Sequence, residues 1–190
     1  MIMIRPATLA DTKDIVALEM TIIDQMALPM VQKIGRANVQ QVLYESALAD
    51  EKARYSYTRT LIAEMSGATV GMIVGYPASD ESVLDTTGQR LLAERFGELQ
   101  SMFPDTETLP GEWYIDTVSV SAKARGKGCG TALIQAAAKL AQEQGYSVVG
   151  LNVDDANPKA RALYEKLGFE PVAKMMLGSH QYTHMQWRLG

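Results

Sequence analysis

The 190-residue chain holds a single cysteine, Cys129, and only two histidines. One cysteine excludes an intramolecular disulfide and fits a reducing compartment, so a cytoplasmic location is expected. Zinc sites draw about four ligands, mostly Cys and His, so no metal is expected. No apolar run approaches the ~18 residues of a membrane-spanning helix. The start, Met1-Ile2-Met3-Ile4-Arg5-Pro6, lacks the basic region and long apolar stretch of a secretory signal, and no membrane partner is expected. Positive charge is also short: 18 Lys and Arg stand against 22 Asp and Glu, a net of −4. Proteins that work by neutralising nucleic-acid phosphates are basic, so nucleic acid is not an expected partner. Any anionic ligand must be held by a local site.

What is present is ordinary for a globular domain: 47% hydrophobic and 21% charged residues. The length predicts one domain over 1–190. Met1 to Arg5 reads as a strand closed by Pro6. Ile15, Leu18, Ile22 and Met26 lie on one helical face, which Pro29 interrupts. A second helix is expected from about Val39 to Ala49. Residues 55–64 read as a strand and Thr69 to Tyr76 as its hairpin partner, turned at Ser66-Gly67.

Residues 78–112 differ from their surroundings. Asp80, Glu81, Asp85, Glu94, Glu98, Asp105, Glu107 and Glu112 face only Arg90 and Arg95, a local net of −6. Leu92, Phe96, Leu99 and Phe103 have helical spacing, and Thr86 with Gln89 matches a capping box. The segment reads as an acidic helical insertion between two strands, and its charge as a device for steering cationic acceptors.

Trp113 to Val120 is a strong strand. It feeds Arg125-Gly126-Lys127-Gly128-Cys129-Gly130 and then a helix with Leu133, Ala137, Leu140 and Ala141 on one face, ended by Gly145. Ser147 to Val153 is the next strand. Asn157-Pro158 caps a helix that runs to Leu167 and stops at Gly168. The chain closes on a hairpin around Gly178-Ser179. A glycine-rich turn between strand and helix is an anion site, because amides approach oxygens closely and the helix end adds positive potential. Neither the Walker A nor the dinucleotide spacing fits. Arg125, Gly128 and Gly130 fit Gln/Arg-x-x-Gly-x-Gly/Ala instead. With Val118-Ser119-Val120 before it, Asn157 after it and Leu163-Tyr164-Glu165-Lys166-Leu167-Gly168-Phe169 further on, the stretch from Trp113 to Phe169 resembles the GNAT superfamily of N-acetyltransferases.

That resemblance implies an α/β fold: a mixed, mostly antiparallel central sheet flanked by helices, with strands 4 and 5 splayed apart. It implies acetyl-CoA as acyl-donor cosubstrate, its pyrophosphate held by Arg125, Gly126, Lys127, Gly128, Cys129, Gly130 and Thr131. It also implies pairing of the pantetheine arm with Val118, Ser119 and Val120, a contact from Asn157, and Tyr164 as the group supporting the departing sulfur. A main-chain N–H near Val118 is the natural donor to the oxyanion. Some members carry a base glutamate where this chain has Asn152, which cannot act as one. Asp116 and Glu112, on one strand face with Tyr114, are the substitute bases. Read as bystanders, both are solvated surface acids. Cys129 reads as a small apolar residue seating the helix, and His184 as a structural histidine without an acid partner at useful spacing. The expected activity moves an acetyl group to a primary amine, of a small molecule or a peptide. Alternatives are acetylation of protein N-termini or lysines, and non-catalytic acyl-CoA binding. A homodimer is left open.

Overall fold

A computed structural model describes residues 1–26 and 28–190. Seven strands form one sheet: β1 (Met3–Pro6), β2 (Thr60–Met65), β3 (Ala68–Pro77), β4 (Trp113–Val120), β5 (Val148–Asp154), β6 (Glu170–Leu177) and β7 (His180–Arg188). Their spatial order is β1-β2-β3-β4-β5-β7-β6. Every neighbouring pair is antiparallel except β4 and β5. This is the mixed, mostly antiparallel sheet that the resemblance implies.

Helices cover both faces. On one, α1 (Thr12–Met26), α2 (Pro29–Ile34), α3 (Arg36–Ala49) and α4 (Thr86–Phe96) bury Ile15, Met20, Val39, Val42 and Leu92 against Ile62, Met72 and Val74 of the sheet. On the other, α5 (Cys129–Glu143) buries Leu133, Ile134, Ala137 and Ala141 against Ile73, Ile115, Val149 and Leu151. Leu163, Tyr164 and Leu167 of α6 (Pro158–Leu167) pack on that same core. Gly75 and Gly150 are required by close approach. A Cβ on Gly75 would stand 2.1 Å from the Trp113 ring, and one on Gly150 2.1 Å from the Glu112 carboxylate.

Four expectations change. The strand over 55–64 begins only at Thr60, because Ser56 accepts from the Thr58 amide and closes a 3-10 turn over Tyr57–Arg59. Pro29 does not merely interrupt a helix; it opens α2, its missing N–H costing nothing at a first helical position. In the acidic segment the helical run stops at Phe96, where Gly97 adopts φ 64°. Leu99 is therefore exposed, and Phe103 folds back edge-on to Tyr55. The capping box at Thr86 is absent: Asp85 is the N-cap, and the Thr86 hydroxyl donates to the Val83 carbonyl at 3.0 Å.

Candidate active site

β4 and β5 pair over three residues only, Trp113–Ile115 with Val149–Leu151. Beyond them β4 stays paired to β3 as far as Val120, while β5 follows β7 to Asp154. The sheet thus opens into a slot bounded by the second halves of β4 and β5. Its opening coincides with a bulge. Val74 faces Thr117 and Gly75 faces Ile115, so Asp116 has no partner on β3. A bulge adds one residue and resets which side chains face which side. Before it, Trp113 and Ile115 join the α5 core; after it, Val118 and Val120 do. Ser119 turns the other way and donates to the Leu18 carbonyl of α1 at 3.1 Å. The main chain of Val118, Ser119 and Val120 pairs with Ile73, Met72 and Gly71 on one side and, among the described residues, has no strand partner on the slot side.

The glycine loop follows. Arg125, Gly126, Lys127 and Gly128 are exposed, and the Arg125 Nε donates to the Val120 carbonyl at 3.1 Å. Gly126 and Gly128 have φ of 74° and 85°, the left-handed region that glycine adopts cheaply. Gly130 has no such excuse: it lies in the first turn of α5, and a Cβ there would meet nothing within 4 Å. The first N–H groups of a helix have no partner within it, so Cys129, Gly130 and Thr131 present amides at an unobstructed surface. Cys129 itself is buried, its Sγ 3.9 Å from the Met65 sulfur, and it seats the helix. Asn157 caps α6, its Oδ1 accepting from the Ala160 amide at 3.2 Å. Tyr164 lies tilted against Phe169, ring centroids 5.8 Å apart. Among the described residues its hydroxyl has no hydrogen-bond partner, and burial pushes its pKa up to about 12.

On the opposite face the slot is ringed by buried polar side chains. Arg54, 4% exposed, is gripped from two sides. Its Nε and Nη2 meet the two Asp85 oxygens at 3.0 and 2.7 Å, and its Nη1 donates to Asp116 Oδ2 at 2.6 Å. Tyr76 also donates to Asp116 Oδ2, at 2.6 Å. Burial alone would lower the Arg54 pKa, but the charge of Asp116, with Tyr76 and Asp85, holds it well above its ordinary value. Glu112 is sealed: Leu109 N–H donates to one oxygen at 2.8 Å, and His184 Nε2 and Gln186 Nε2 lie 3.0 and 2.8 Å from the other. Neither Asp116 nor Glu112 is a surface acid, and His184 does have an acid partner, brought from 72 positions away. A further carboxylate, Glu107, stands beside them. Tyr114 donates to its Oε2 at 3.0 Å, and Arg54 Nη1 lies 3.6 Å from its Oε1.

Two faces of one sheet, joined where β4 and β5 part, with a glycine loop at one side of the opening, define the architecture. The Acetyltransferase (GNAT) family model matches residues 29–169. The chain belongs to that family. A crystal structure described as an acetyltransferase is 37% identical, with a TM-score of 0.86, over 99% of this chain and 100% of that one. The N-acetyltransferase from Staphylococcus aureus Mu50 is 28% identical, with a TM-score of 0.86, over 97% and 99% of the two chains. The mycothiol acetyltransferase of Beutenbergia cavernae is 43% identical over 70 residues, 37% of this chain and 22% of that protein. The chain therefore spans about a fifth of the length of the curated relatives it matches.

In this GNAT-family chain the acids of the 78–112 segment are mostly paired. Asp80 meets Arg59, Glu94 meets Arg90, and Glu98 meets Lys33. Glu81 accepts from the Glu107 amide and the Thr108 hydroxyl, and Asp105 from the Gly178 amide. A recess of about 190 Å³ opens beside Arg54, walled by Glu81, Asp85, Gln89, Phe103 and Asp105. Sequence reasoning missed Arg54, Tyr76, Glu107 and Glu19 as parts of one cluster. They lie far apart in the chain, in no motif, and only the fold brings them together. The one signal was the crowd of acids in 78–112, which requires cations from elsewhere.

Proposed function

We propose that the protein transfers an acetyl group from acetyl-CoA to a primary amine, with a small molecule as the acceptor. The observation that carries this is the slot, with its glycine loop and Tyr164 on the α5–α6 side and its carboxylates on the other. Bound acetyl-CoA would supply an activated thioester carbon. The residues present fit it. The open Cβ positions at Gly126, Gly128 and Gly130 leave room for a pyrophosphate against the amides of residues 125–131, with Arg125 and Lys127 beside it. The unpaired slot-side edge of Val118–Val120 offers main-chain donors and acceptors to an amide-bearing arm. Tyr164, kept protonated by burial, has a free hydroxyl to donate to a leaving sulfur. The recess lined by Glu81, Asp85 and Asp105 against Arg54 keeps an excess of acids, which favours an acceptor that carries positive charge.

The loop is tested at Gly130. A substitution at Gly128 would strain its positive φ whatever the ligand. At Gly130 a side chain meets only open space and replaces glycine in a helix, a change worth roughly 0.5–1 kcal/mol in favour of folding. Gly130→Leu is therefore expected to melt no lower than the parent while its acetyl-CoA affinity, by calorimetry, falls at least tenfold. Equal affinity would remove the loop from the ligand.

A further inference from the structure

Four carboxylates surround the slot on its α1–α4 side: Glu19, Glu107, Glu112 and Asp116. Three are shut off from solvent. The Glu112 side chain is fully buried against His184 and Gln186. Asp116, 5% exposed, is bonded to Arg54, Tyr76 and the Thr117 hydroxyl. Glu19, on the inner face of α1, is wholly buried. Glu107 differs in keeping 20% of its side chain exposed.

The neighbours of Glu107 hold it firmly. Asn152 Nδ2 donates to the Glu107 main-chain carbonyl at 2.9 Å and lies 3.0 Å from the Tyr114 oxygen. Tyr114 then donates to Glu107 Oε2. The contacts of the Asn152 side chain admit one set of donors. A main-chain carbonyl only accepts, so the Asn152 nitrogen must face Glu107. Its Oδ1 must then accept from His184 Nδ1, 2.7 Å away. The Asn152 amide thus fixes a loop carboxylate from the slot wall, and His184 fixes Asn152.

We infer that Glu107 takes the proton from the acceptor amine, positioned by Asn152 and Tyr114. This rests on the transfer proposed above. An ammonium acceptor gives one proton to the carboxylate. Its freed lone pair forms the C–N bond as the C–S bond breaks. A second proton leaves the nitrogen with the thiolate to give free thiol, the third stays as the amide N–H, and Glu107 returns its proton to water. The surroundings suit the task. Burial first, and the charge of Asp116 second, raise the Glu107 pKa to about 7, against the pull of Arg54 and the Tyr114 hydroxyl. Efficient general bases have pKa values near the working pH. The charged and titratable groups facing Glu107 are Asp116 and Tyr114 on β4, Arg54 and Tyr55 before β2, Glu81 on the turn after β3, Tyr76 on β3 and Tyr182 on β7.

The test uses the intact protein, acetyl-CoA and an amine found by screening for thiol release. For the parent, kcat/KM is expected to rise with pH through about 7 as Glu107 loses its proton. Glu107→Gln should lose that limb and at least a hundredfold in rate near neutrality, within the range of general-base contributions. Its acetyl-CoA affinity and melting temperature should stay near those of the parent. Tyr114→Phe removes a donor to the carboxylate, so the limb should move to higher pH. A carboxyl ¹³C NMR titration of Glu107, free of any turnover, should show the same move. If Glu107→Gln fails to fold, the Tyr114→Phe shift decides. A folded Glu107→Gln with the parent's pH profile, or a limb that Tyr114→Phe leaves in place, overturns the inference while transfer itself stands. A parent that releases thiol with no amine overturns both.

Discussion

At the scale of single residues, Glu19 carries a measurable consequence of how the slot is built. It sits on α1, fully buried, and among the described residues its Oε2 has no hydrogen-bond partner. An orphaned buried carboxylate oxygen would be costly if charged. Burial, and next the nearby charge of Asp116, push the Glu19 pKa up to about 8, while Thr117, Tyr55 and Arg54 pull it down. Near neutrality the folded protein therefore holds a proton there that the unfolded chain releases near 4.5. A carboxyl raised on folding contributes fully below its unfolded pKa, and that contribution fades as pH rises toward its folded one. The fading window is about 4.5 to 8. Glu19→Gln keeps the shape and cannot ionise. Its unfolding free energy relative to the parent, measured in urea, is expected to climb between pH 5 and 8 by a few kcal/mol, since each tenfold change in proton affinity is worth about 1.4 kcal/mol. Parallel stability curves across that range would show that Glu19 is not a neutral acid in the folded protein.

At the scale of elements, the second half of the chain was legible and the first half less so. β4 runs from Trp113 to Val120 as expected, and α5 and α6 end where Gly145 and Gly168 dictate, because local signals set these boundaries. The stretch over 55–59, just after Arg54, was misread as strand. Tyr55 and Tyr57 favour strands locally, but Arg54 is drawn into the acids of β4 and of the loop after β3, and the chain bends to bring it there. The bulge at Asp116 was hidden too, since it lies in the register between two strands rather than in either one. The glycine loop and Tyr164 were readable as a motif. Glu107 was not, because the role inferred for it rests on Asn152 and Tyr114 reaching it across 45 and 7 positions. Asn157 shows a motif residue with a plain structural duty, the cap of α6. Losing such a cap costs about 1 kcal/mol, which for a chain of this size is a fall of roughly 2–4 °C in Tm. Asn157→Ala should show that fall by calorimetry, and Asn157→Asp, whose carboxylate still accepts from the Ala160 amide, should recover it. If neither variant moves Tm, the cap bond does not hold α6.

At the scale of the whole molecule the question is whether the acidic segment gathers substrate from a distance. Read as sequence, 78–112 carries a net of −6 and should act as a steering field. The fold spends much of that charge internally. Arg54 meets Asp85, Arg59 meets Asp80, and Lys33 reaches Glu98 from α2. A charge paired at contact projects a dipole field, which decays faster than that of a lone charge. In physiological salt, exposed charges more than about 8 Å apart are largely screened as well. Acceptor preference should then arise at contact, in the recess walled by Glu81, Asp85 and Asp105, rather than from a long-range field. The measurement is kcat/KM against ionic strength for the parent and for Glu94→Gln with Glu98→Gln, two exposed pairs clear of the carboxylates that ring the slot. The two curves are expected to coincide. A parent curve that falls steeply with salt, above a flatter and lower variant curve, would show that these surface acids draw the substrate in, and that pairing does not silence them.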